Sequence, residues 1–322
     1  MKITKYILAV ACIIGTALAI TGCGGLESLV YPDPDSYKIG NAEIAENVEH
    51  IDIDWISGDV KIVTDDVKTL SIREETGRDI SDKQRVHWRL NGSTLSIKFC
   101  ASGIKPRHIS TLNKDLTVTI PEKMALSSVD IDAASAPLDI RNLSAEDVTL
   151  STASGDILFT GENDRLRATS ASGRITISQT GTADTIEADT ASGDVELILE
   201  NAENVAAHSA SGRISAEAVD ARSLRLESVS GNVTAVLGSA PKTCALNTVS
   251  GKVSLTLPEN AGFTARIGTV SGDFDSDLAL KKNGDTYING DGRADITMDT
   301  TSGDMKIMAG KSTINYKSNS LL

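Results

Sequence analysis

The sequence predicts an all-β protein, a β-solenoid with about 19–20 residues per coil and a β-rich N-terminal cap. Three observations predict this fold. A Ser-Gly phrase recurs eight times between residues 154 and 303, apolar residues alternate on both sides of it, and helical periodicity is nearly absent. Alternation with period two is typical of half-buried strands. A repeat of this length is typical of stacked units that bury their apolar sides against one another.

The Ser-Gly phrase marks a corner in each coil. Successive corner serines are almost evenly spaced from Ser154 to Ser271, and only the last step, to Ser302, is distinctly longer. The apolar positions before and after the phrase are out of phase by one residue, so the chain must turn between two strands. Glycine suits a corner because it reaches positive φ at little cost. We therefore assign structural turns to the following glycines: Gly58, Gly155, Gly173, Gly193, Gly212, Gly231, Gly251, Gly272 and Gly303.

Two polar columns accompany the corners. The residue after each glycine alternates in charge over the first four coils, from Asp156 to Arg213, which predicts a structural charge ladder rather than a calcium site. Two residues before each corner serine stands a serine or threonine, beginning with Thr152 and Ser170. We interpret this second column as a hydroxyl ladder that supports the corner.

The N-terminus predicts export and a lipid anchor. Residues 1–22 combine two lysines with an apolar run from Tyr6 to Ile20, as a signal peptide does. The run ends in Ile20-Thr21-Gly22-Cys23, which resembles a bacterial lipobox. This resemblance implies cleavage before Cys23 and lipidation of its sulfur. We expect an extracytoplasmic protein, anchored by lipid to the bacterial cell membrane.

The remaining chain divides by pattern into four segments. Residues 23–42 predict a lipidated tether, 43–125 a β-rich N-terminal portion or cap, 126–310 the solenoid repeats, and 311–322 a tail. The last coil is expected at Ile296–Ile307. The longer step before that coil contains Asn-Gly pairs, which predict a hairpin that covers the final open coil.

Charge and cysteine content limit the partners. The net charge is −13, and it becomes −15 when residues 1–22 are removed. Nucleic acid is not expected as a partner because it rewards basic patches. An acidic surface favours a cationic partner, or it serves only solubility. Cys100 and Cys244 are expected to be small buried hydrophobes, with a disulfide between them left open.

Catalytic chemistry finds little support. His208 shares a column with Asp189 and Glu227, which could hold a metal ion or form a charge ladder, and the ladder is favoured. No nucleophile elbow, phosphate loop or zinc spacing occurs. Trp55 and Trp88 are expected to pack in the cap rather than bind sugar. We therefore expect no catalytic residue, no metal and no cofactor.

The order of motifs resembles the DUF4097 family of β-strand-repeat proteins, which carry an adhesin label. The matching stretches are Ile56–Ile62, Leu116–Pro121, the Ser-Gly coils and Tyr287–Met305. The resemblance implies a β-solenoid at the bacterial envelope, sometimes associated with envelope stress, and no established enzymatic activity.

The sequence thus predicts a non-catalytic envelope lipoprotein with an acidic, adhesin-like solenoid surface. Its partners would be the membrane, through the lipid anchor only, and an unidentified envelope ligand or protein. A self-assembling scaffold is the alternative, followed by a polysaccharide-active enzyme, and the oligomeric state stays open.

Overall fold

The computed structural model describes residues 30–310, which contain 23 strands, three 3-10 helices and no α-helix. The predicted all-β class is confirmed. The signal peptide, Cys23 and the tail 311–322 lie outside the described residues. Two compact units divide the chain between Thr176 and Ile177.

The first unit contains eleven strands and the three 3-10 helices. The strands are β1 (Lys38–Ile39), β2 (Ala42–Ile44), β3 (His50–Trp55), β4 (Val60–Asp65), β5 (Leu70–Glu75), β6 (His87–Asn91), β7 (Thr94–Lys98), β8 (Asp115–Pro121), β9 (Leu126–Ala133), β10 (Leu138–Thr152) and β11 (Ile157–Ser170). The 3-10 helices are Pro34–Ser36, Asp82–Gln84 and Pro106–His108.

Twelve strands follow, nearly all of them in the second unit. They are β12 (Ile175–Thr190), β13 (Val195–Ser209), β14 (Ile214–Ser228), β15 (Val233–Leu237), β16 (Thr243–Asn247), β17 (Val253–Pro258), β18 (Phe263–Ser271), β19 (Phe274–Ser276), β20 (Lys281–Asn283), β21 (Thr286–Asn289), β22 (Ala294–Ser302) and β23 (Met305–Gly310).

Parallel coils form most of the first unit, and β1, β2, β5 and β6 add antiparallel pairings to them. β10 pairs in parallel with β11 along both limbs of the coil, from Leu138 opposite Ile157 to Thr152 opposite Ser170. The other edge of β10 pairs with β4 near its start and with β9 near its end. In β10, the two strands predicted for a regular coil are therefore one long strand, bent midway near Asn142, whose φ is 53°.

The second unit repeats this arrangement with one departure at its end. β13 pairs with β14, and β14 pairs with both β15 and β16. β16 and β17 then pair with β22 and β23, and these pair in turn with β18 and β19. Residues 296–307 do form the last coil of the chain, but this coil lies between its two predecessors and not at the open end of the stack, where the sequence analysis expected it.

The hairpin explains the reversed order. β21 pairs antiparallel with β18, from Phe263 opposite Asn289 to Arg266 opposite Thr286, and β20 pairs with β21. This hairpin occupies the outer edge of β18, so the chain can only add its last coil on the inner edge. The expected cover of the final coil is present, but over residues 263–266.

The apolar columns face inward as the alternation predicted. Val205, Leu224, Cys244 and Ile296 follow one another on neighbouring strands, and each is buried. Cys244 and Cys100 are both free thiols, which answers the open disulfide question. Burial raises the pKa of the Cys244 thiol to about 12 and that of Cys100 to about 11, so neither is a reactive thiolate.

The corner hydroxyls join each coil to the one before it. In the second unit, the Ser209 hydroxyl accepts from the Gly212 N–H at 2.8 Å and donates to the Gly193 carbonyl at 3.0 Å. In the first unit, Ser170 does the same with Gly173 and Gly155, at 2.8 and 3.1 Å. These contacts confirm the predicted hydroxyl ladder.

Close approach, rather than positive φ, requires glycine at most corners. A Cβ on Gly173 would lie 1.8 Å from the Gly155 carbonyl oxygen, and one on Gly212 would lie 1.7 Å from that of Gly193. The same overlap, at 1.9–2.2 Å, occurs at Gly58, Gly155, Gly231, Gly251, Gly272 and Gly303. Of these corners only Gly58, Gly272 and Gly303 have positive φ.

A buried ion pair anchors the cap of the first unit. The Lys114 ammonium bonds to the Glu74 carboxylate and to the carbonyls of Gln84 and Phe99, and its side chain is fully buried. Desolvation lowers the pKa of Lys114, although Glu74 opposes the shift. Trp55 donates to the Lys114 carbonyl at 3.0 Å.

We predict that Gly173→Ala destabilises the protein by at least about 2 kcal/mol, because the new methyl group overlaps a backbone carbonyl that cannot move freely. Gly77→Ala is the matched control in the same unit. A Cβ there meets nothing within 4 Å, and the φ of Gly77 lies outside the left-handed region. Thermal unfolding measures both variants, and equal midpoints for the two would contradict the corner geometry.

Candidate functional site

The charge column after the corner glycines is bonded to backbone. Asp156 accepts the Arg174 N–H at 2.7 Å in the first unit, and Asp194 accepts the Arg213 N–H at 2.8 Å in the second. Asn232 accepts the Lys252 N–H in the same way, at 2.9 Å. These acceptors are used within the fold, so the column is not a free ligand surface.

The predicted His208 column forms a polar network. The imidazole Nδ1 lies 2.7 Å from Asp189 Oδ1, and Nε2 lies 3.7 Å from Glu227 Oε2. Glu227 Oε1 accepts from Asn247 at 2.9 Å and pairs with Arg225 at 2.8 Å. The Glu227 side chain is only 3% exposed although it points outward. This arrangement is the predicted ladder, packed beside the corner.

Metal binding is not supported at this column. Within residues 30–310, no three histidine, cysteine, aspartate or glutamate side chains are grouped so that they could hold a metal ion. Asp189 and Glu227 instead flank the ring, one at each nitrogen. The ring is hydrogen-bonded to Asp189 and lies close to the Glu227 carboxylate on the next coil.

The first unit holds a second cluster, which the sequence analysis missed. On its outward face, Asp52 lies opposite Asp130 and Asp54 lies opposite Asp132, on adjacent parallel strands. Neighbouring strands are about 4.8 Å apart and residues two apart along a strand about 6.7 Å, so the four aspartates form a compact group with one residue at each corner. We call these four residues the aspartate square.

Lys98 neutralises only one edge of the aspartate square. Its ammonium lies 2.8 Å from Asp52 and 2.6 Å from Asp54. Desolvation opposes the charge on Lys98, but the two carboxylates outweigh it and raise the pKa of the ammonium. No basic side chain lies opposite the other edge, where Asp130 and Asp132 face Thr149 and Ser151.

The edge formed by Asp130 and Asp132 has perturbed acidity, although Lys98 partly opposes the shift in pKa at both residues. Desolvation and the carboxylates of Asp132, Asp52 and Asp54 raise the pKa of Asp130. Desolvation, followed by the charge of Asp54, likewise raises the pKa of Asp132. Crowded like charges cost folding free energy. The aspartate square is therefore a concentration of negative charge that the fold maintains at a cost.

A sequence signal for this square exists. The segments Ile51–Asp54 and Val129–Asp132 share the pattern apolar-Asp-Ile-Asp. They are far apart in the chain, and only the pairing of β3 with β9 makes them neighbours. The regular spacing of the Ser-Gly repeat gave no reason to compare them.

The other predicted residues have structural positions. Trp55 packs edge-on against Phe99, with ring centroids 4.9 Å apart, and Trp88 lies under the Lys38 ammonium at 4.7 Å. Both tryptophans are buried in the cap. Over residues 30–310, no helix is long and apolar enough to span a bilayer. Cys23 lies outside the described residues.

Together, the parallel coils, the glycine corners and the outward polar columns define a β-solenoid repeat protein. The profile of the family Toastrack DUF4097 matches residues 48–308. The chain belongs to this family, and the resemblance found in its motifs is confirmed.

Solved structures with a similar chain path are bacterial. One is described as a "putative adhesin" from Parabacteroides merdae, with 12% identity, a TM-score of 0.43, and coverage of 84% of this chain and 96% of that one. Another, a "putative adhesin" from Bacteroides fragilis, has 14% identity, a TM-score of 0.37, and coverage of 84% and 97%.

A third structure is described as a "Putative lipid binding protein" from Parabacteroides distasonis, with 13% identity, a TM-score of 0.37, and coverage of 83% and 95%. Identities and TM-scores this low do not extend a neighbour's described activity to this chain. No curated protein matches the sequence.

We predict that Asp130→Asn with Asp132→Asn raises the unfolding midpoint at pH 7 by roughly 2 °C, because it removes crowded charge. A raised folded-state pKa means that the penalty is present above that pKa. It is relieved as pH falls toward the unfolded value, so the gain should shrink between pH 7 and pH 4. Thermal unfolding at several pH values measures this.

Asp304→Asn is the opposite control. A bond from the Asp273 N–H, followed by the Lys252 ammonium, lowers the pKa of Asp304, so its charge is favourable in the fold. This variant should lower the midpoint at pH 7. A loss of stability in the Asp130 and Asp132 double variant would contradict our account of the aspartate square.

Proposed function

We propose that the chain is a non-catalytic lipoprotein of the bacterial cell envelope. It is attached to the membrane through Cys23 and presents an acidic solenoid face as an adhesin-like binding surface. Its ligand is a cationic group on an envelope polymer or protein, and the family resemblance favours a connection with envelope stress.

The aspartate square carries this proposal. The coils are held by their glycine corners and apolar columns, none of which needs four outward carboxylates. Serine and threonine occupy the corresponding positions on β10, at Thr149 and Ser151, without charge repulsion. A costly group retained on an outward face is best explained by binding, because a cationic ligand would neutralise it.

The geometry favours binding over catalysis. Asp130 and Asp132 lie exposed on the outer face of a sheet. A hydrolase needs walls that orient its substrate and exclude water around the acid and the base. An open row of carboxylates attracts a cation without positioning a bond for cleavage.

The binding test uses a defined cationic probe. We expect the purified full chain to bind a lysine-glycine decapeptide in calorimetry at low salt. Replacing Asp52, Asp54, Asp130 and Asp132 by Asn should weaken the affinity at least about tenfold, which is 1.4 kcal/mol. The matched control removes four scattered exposed charges in the same unit, in the variant D66N/E122Q/E146Q/D164N.

If both variants lose the same affinity for the peptide, the binding depends only on net charge, and this would contradict a specific binding face. Self-assembly is the alternative, and one observation favours it: among the described strands, none pairs with the outer edge of β19. A mass that rises with protein concentration in light scattering would support that scaffold instead.

Lipid attachment has its own test. Replacing Cys23 by Ala should release the protein from the membrane fraction of cells, because the variant has no sulfur to acylate. Fractionation followed by immunoblotting measures this, with Cys244→Ala as the control, since Cys244 is buried in the solenoid. Unchanged membrane retention of the Cys23 variant would refute the anchor.

A further inference from the structure

Two loops of the first unit are basic, although the protein as a whole is acidic. Residues 76–86 and 101–111 contain five lysines and arginines but only two acids, whereas the whole chain has 31 basic and 44 acidic residues. The basic residues are Arg78, Lys83, Arg85, Lys105 and Arg107, and all five are exposed. We call these five residues the basic face.

Backbone contacts hold the two loops together. The Ala101 N–H donates to the Lys83 carbonyl at 2.9 Å, and the Gln84 side-chain amide donates to the His108 carbonyl at 2.8 Å. Arg78 reaches across to the Thr111 carbonyl at 3.2 Å. The two loops that carry the basic face therefore lie side by side, although they come from two separate segments.

Little of this charge is neutralised by the protein. Among the described residues, Arg85 is the member of the basic face with a carboxylate within 4 Å, at 3.6 Å from Asp82. Lys98 and Arg89, which lie between the loops in sequence, are paired with aspartates and do not belong to this surface. The unpaired cations are available to an anionic partner.

The start of the described chain lies beside the basic face. The Tyr31 hydroxyl donates to the Cys100 carbonyl at 2.9 Å, and the Ser102 hydroxyl accepts from the Tyr31 N–H at 3.0 Å. Tyr31 also contacts Tyr37, with ring centroids 4.6 Å apart. The chain thus leaves the fold next to the 101–111 loop.

The tether limits how far this surface can be from a bilayer. Cys23 precedes Tyr31 by eight residues, which span at most about 29 Å when fully extended. Electrostatic attraction acts over a Debye length of about 8–10 Å in physiological salt. The rest of the chain carries a net negative charge and is repelled by an anionic membrane, whereas the basic face would be attracted to it.

We infer that the basic face docks on anionic phospholipid headgroups, so that the membrane contact of this protein extends beyond its lipid anchor. The net charge alone disfavours this contact, and the clustering of the five cations reverses that expectation. The inference rests on the proposed Cys23 anchor, which would keep the basic face near the bilayer.

Hydrogen exchange on vesicles tests the docking. The full lipidated chain is mixed with phosphatidylcholine vesicles, or with vesicles containing 30 mol% phosphatidylglycerol, as a rough match to an anionic bilayer. Exchange in 76–86 and 101–111 should slow at least about fivefold on the anionic vesicles only, and high salt should abolish the effect. Exchange in the β20–β21 hairpin, residues 281–289, should not change.

A charge-reversal pair provides the control. The variant K83E/K105E/R107E should lose the slowing, whereas K61E/K123E/K281E, with the same net charge and all three sites exposed, should keep it. Equal exchange on the two kinds of vesicle, or slowing that survives in the first variant, would overturn the inference.

Flotation of the same samples separates this inference from the proposed function. If the protein does not float with phosphatidylcholine vesicles, the lipid anchor is refuted. The docking is still tested in that case, because exchange on anionic vesicles can be compared with exchange of the unbound protein. Slowing by soluble polyphosphate, without any slowing on anionic vesicles, would assign the basic face to an anionic polymer and overturn membrane docking.

Discussion

One close contact sustains the solenoid: at the corners of both units, a backbone carbonyl oxygen of the neighbouring coil lies 1.7–2.2 Å from the position where the corner glycine would carry a Cβ. A serine or threonine hydroxyl spans the same gap, accepting from one coil and donating to the other. Each coil that stacks this closely therefore needs a glycine at its own corner, which explains why the Ser-Gly phrase is repeated from coil to coil.

Tight corners also determine where function can reside. Inward positions are filled by the apolar columns and the hydroxyl ladder, so only the outward columns remain for a partner. Stacking places equivalent outward residues about 4.8 Å apart, so like charges that recur from coil to coil lie close together. In the second unit, His208 and Arg225 moderate Asp189 and Glu227. In the first, Lys98 pairs directly with Asp52 and Asp54 only, so the negative charge at Asp130 and Asp132 is less balanced than the charge in the His208 column.

The sequence predicted the local features well because they recur locally. Alternation identified both limbs, and the Ser-Gly spacing located the corners. The reason for glycine was mostly wrong, since φ is positive at Gly58, Gly272 and Gly303 whereas steric overlap also occurs at corners without it. The aspartate square could not be read from the spacing, because β3 and β9 are distant in the chain and meet only in the folded sheet. Pairings between distant segments depend on loop lengths and on which strand occupies a free sheet edge first. The spacing of the repeat contains no information on either.

Edge competition accounts for the coil order at one end of each unit. β7 and β8 pair with β3 and β4 on the edge opposite to β9 and β10, so residues 94–121 form a coil outside their predecessor. The chain then returns to the inner edge, as it does after β18 and β19. Antiparallel strands cover the outer coil in both cases, β5 on β8 and β6 on β7 in the first unit, and β21 on β18 in the second. An antiparallel strand ends the stack of parallel coils, because it occupies the edge on which a further coil would pair. Interrupting the repeat also frees the loops beside these strands from the glycine corner, and two such loops in the first unit, 76–86 and 101–111, carry five lysines and arginines against two acids.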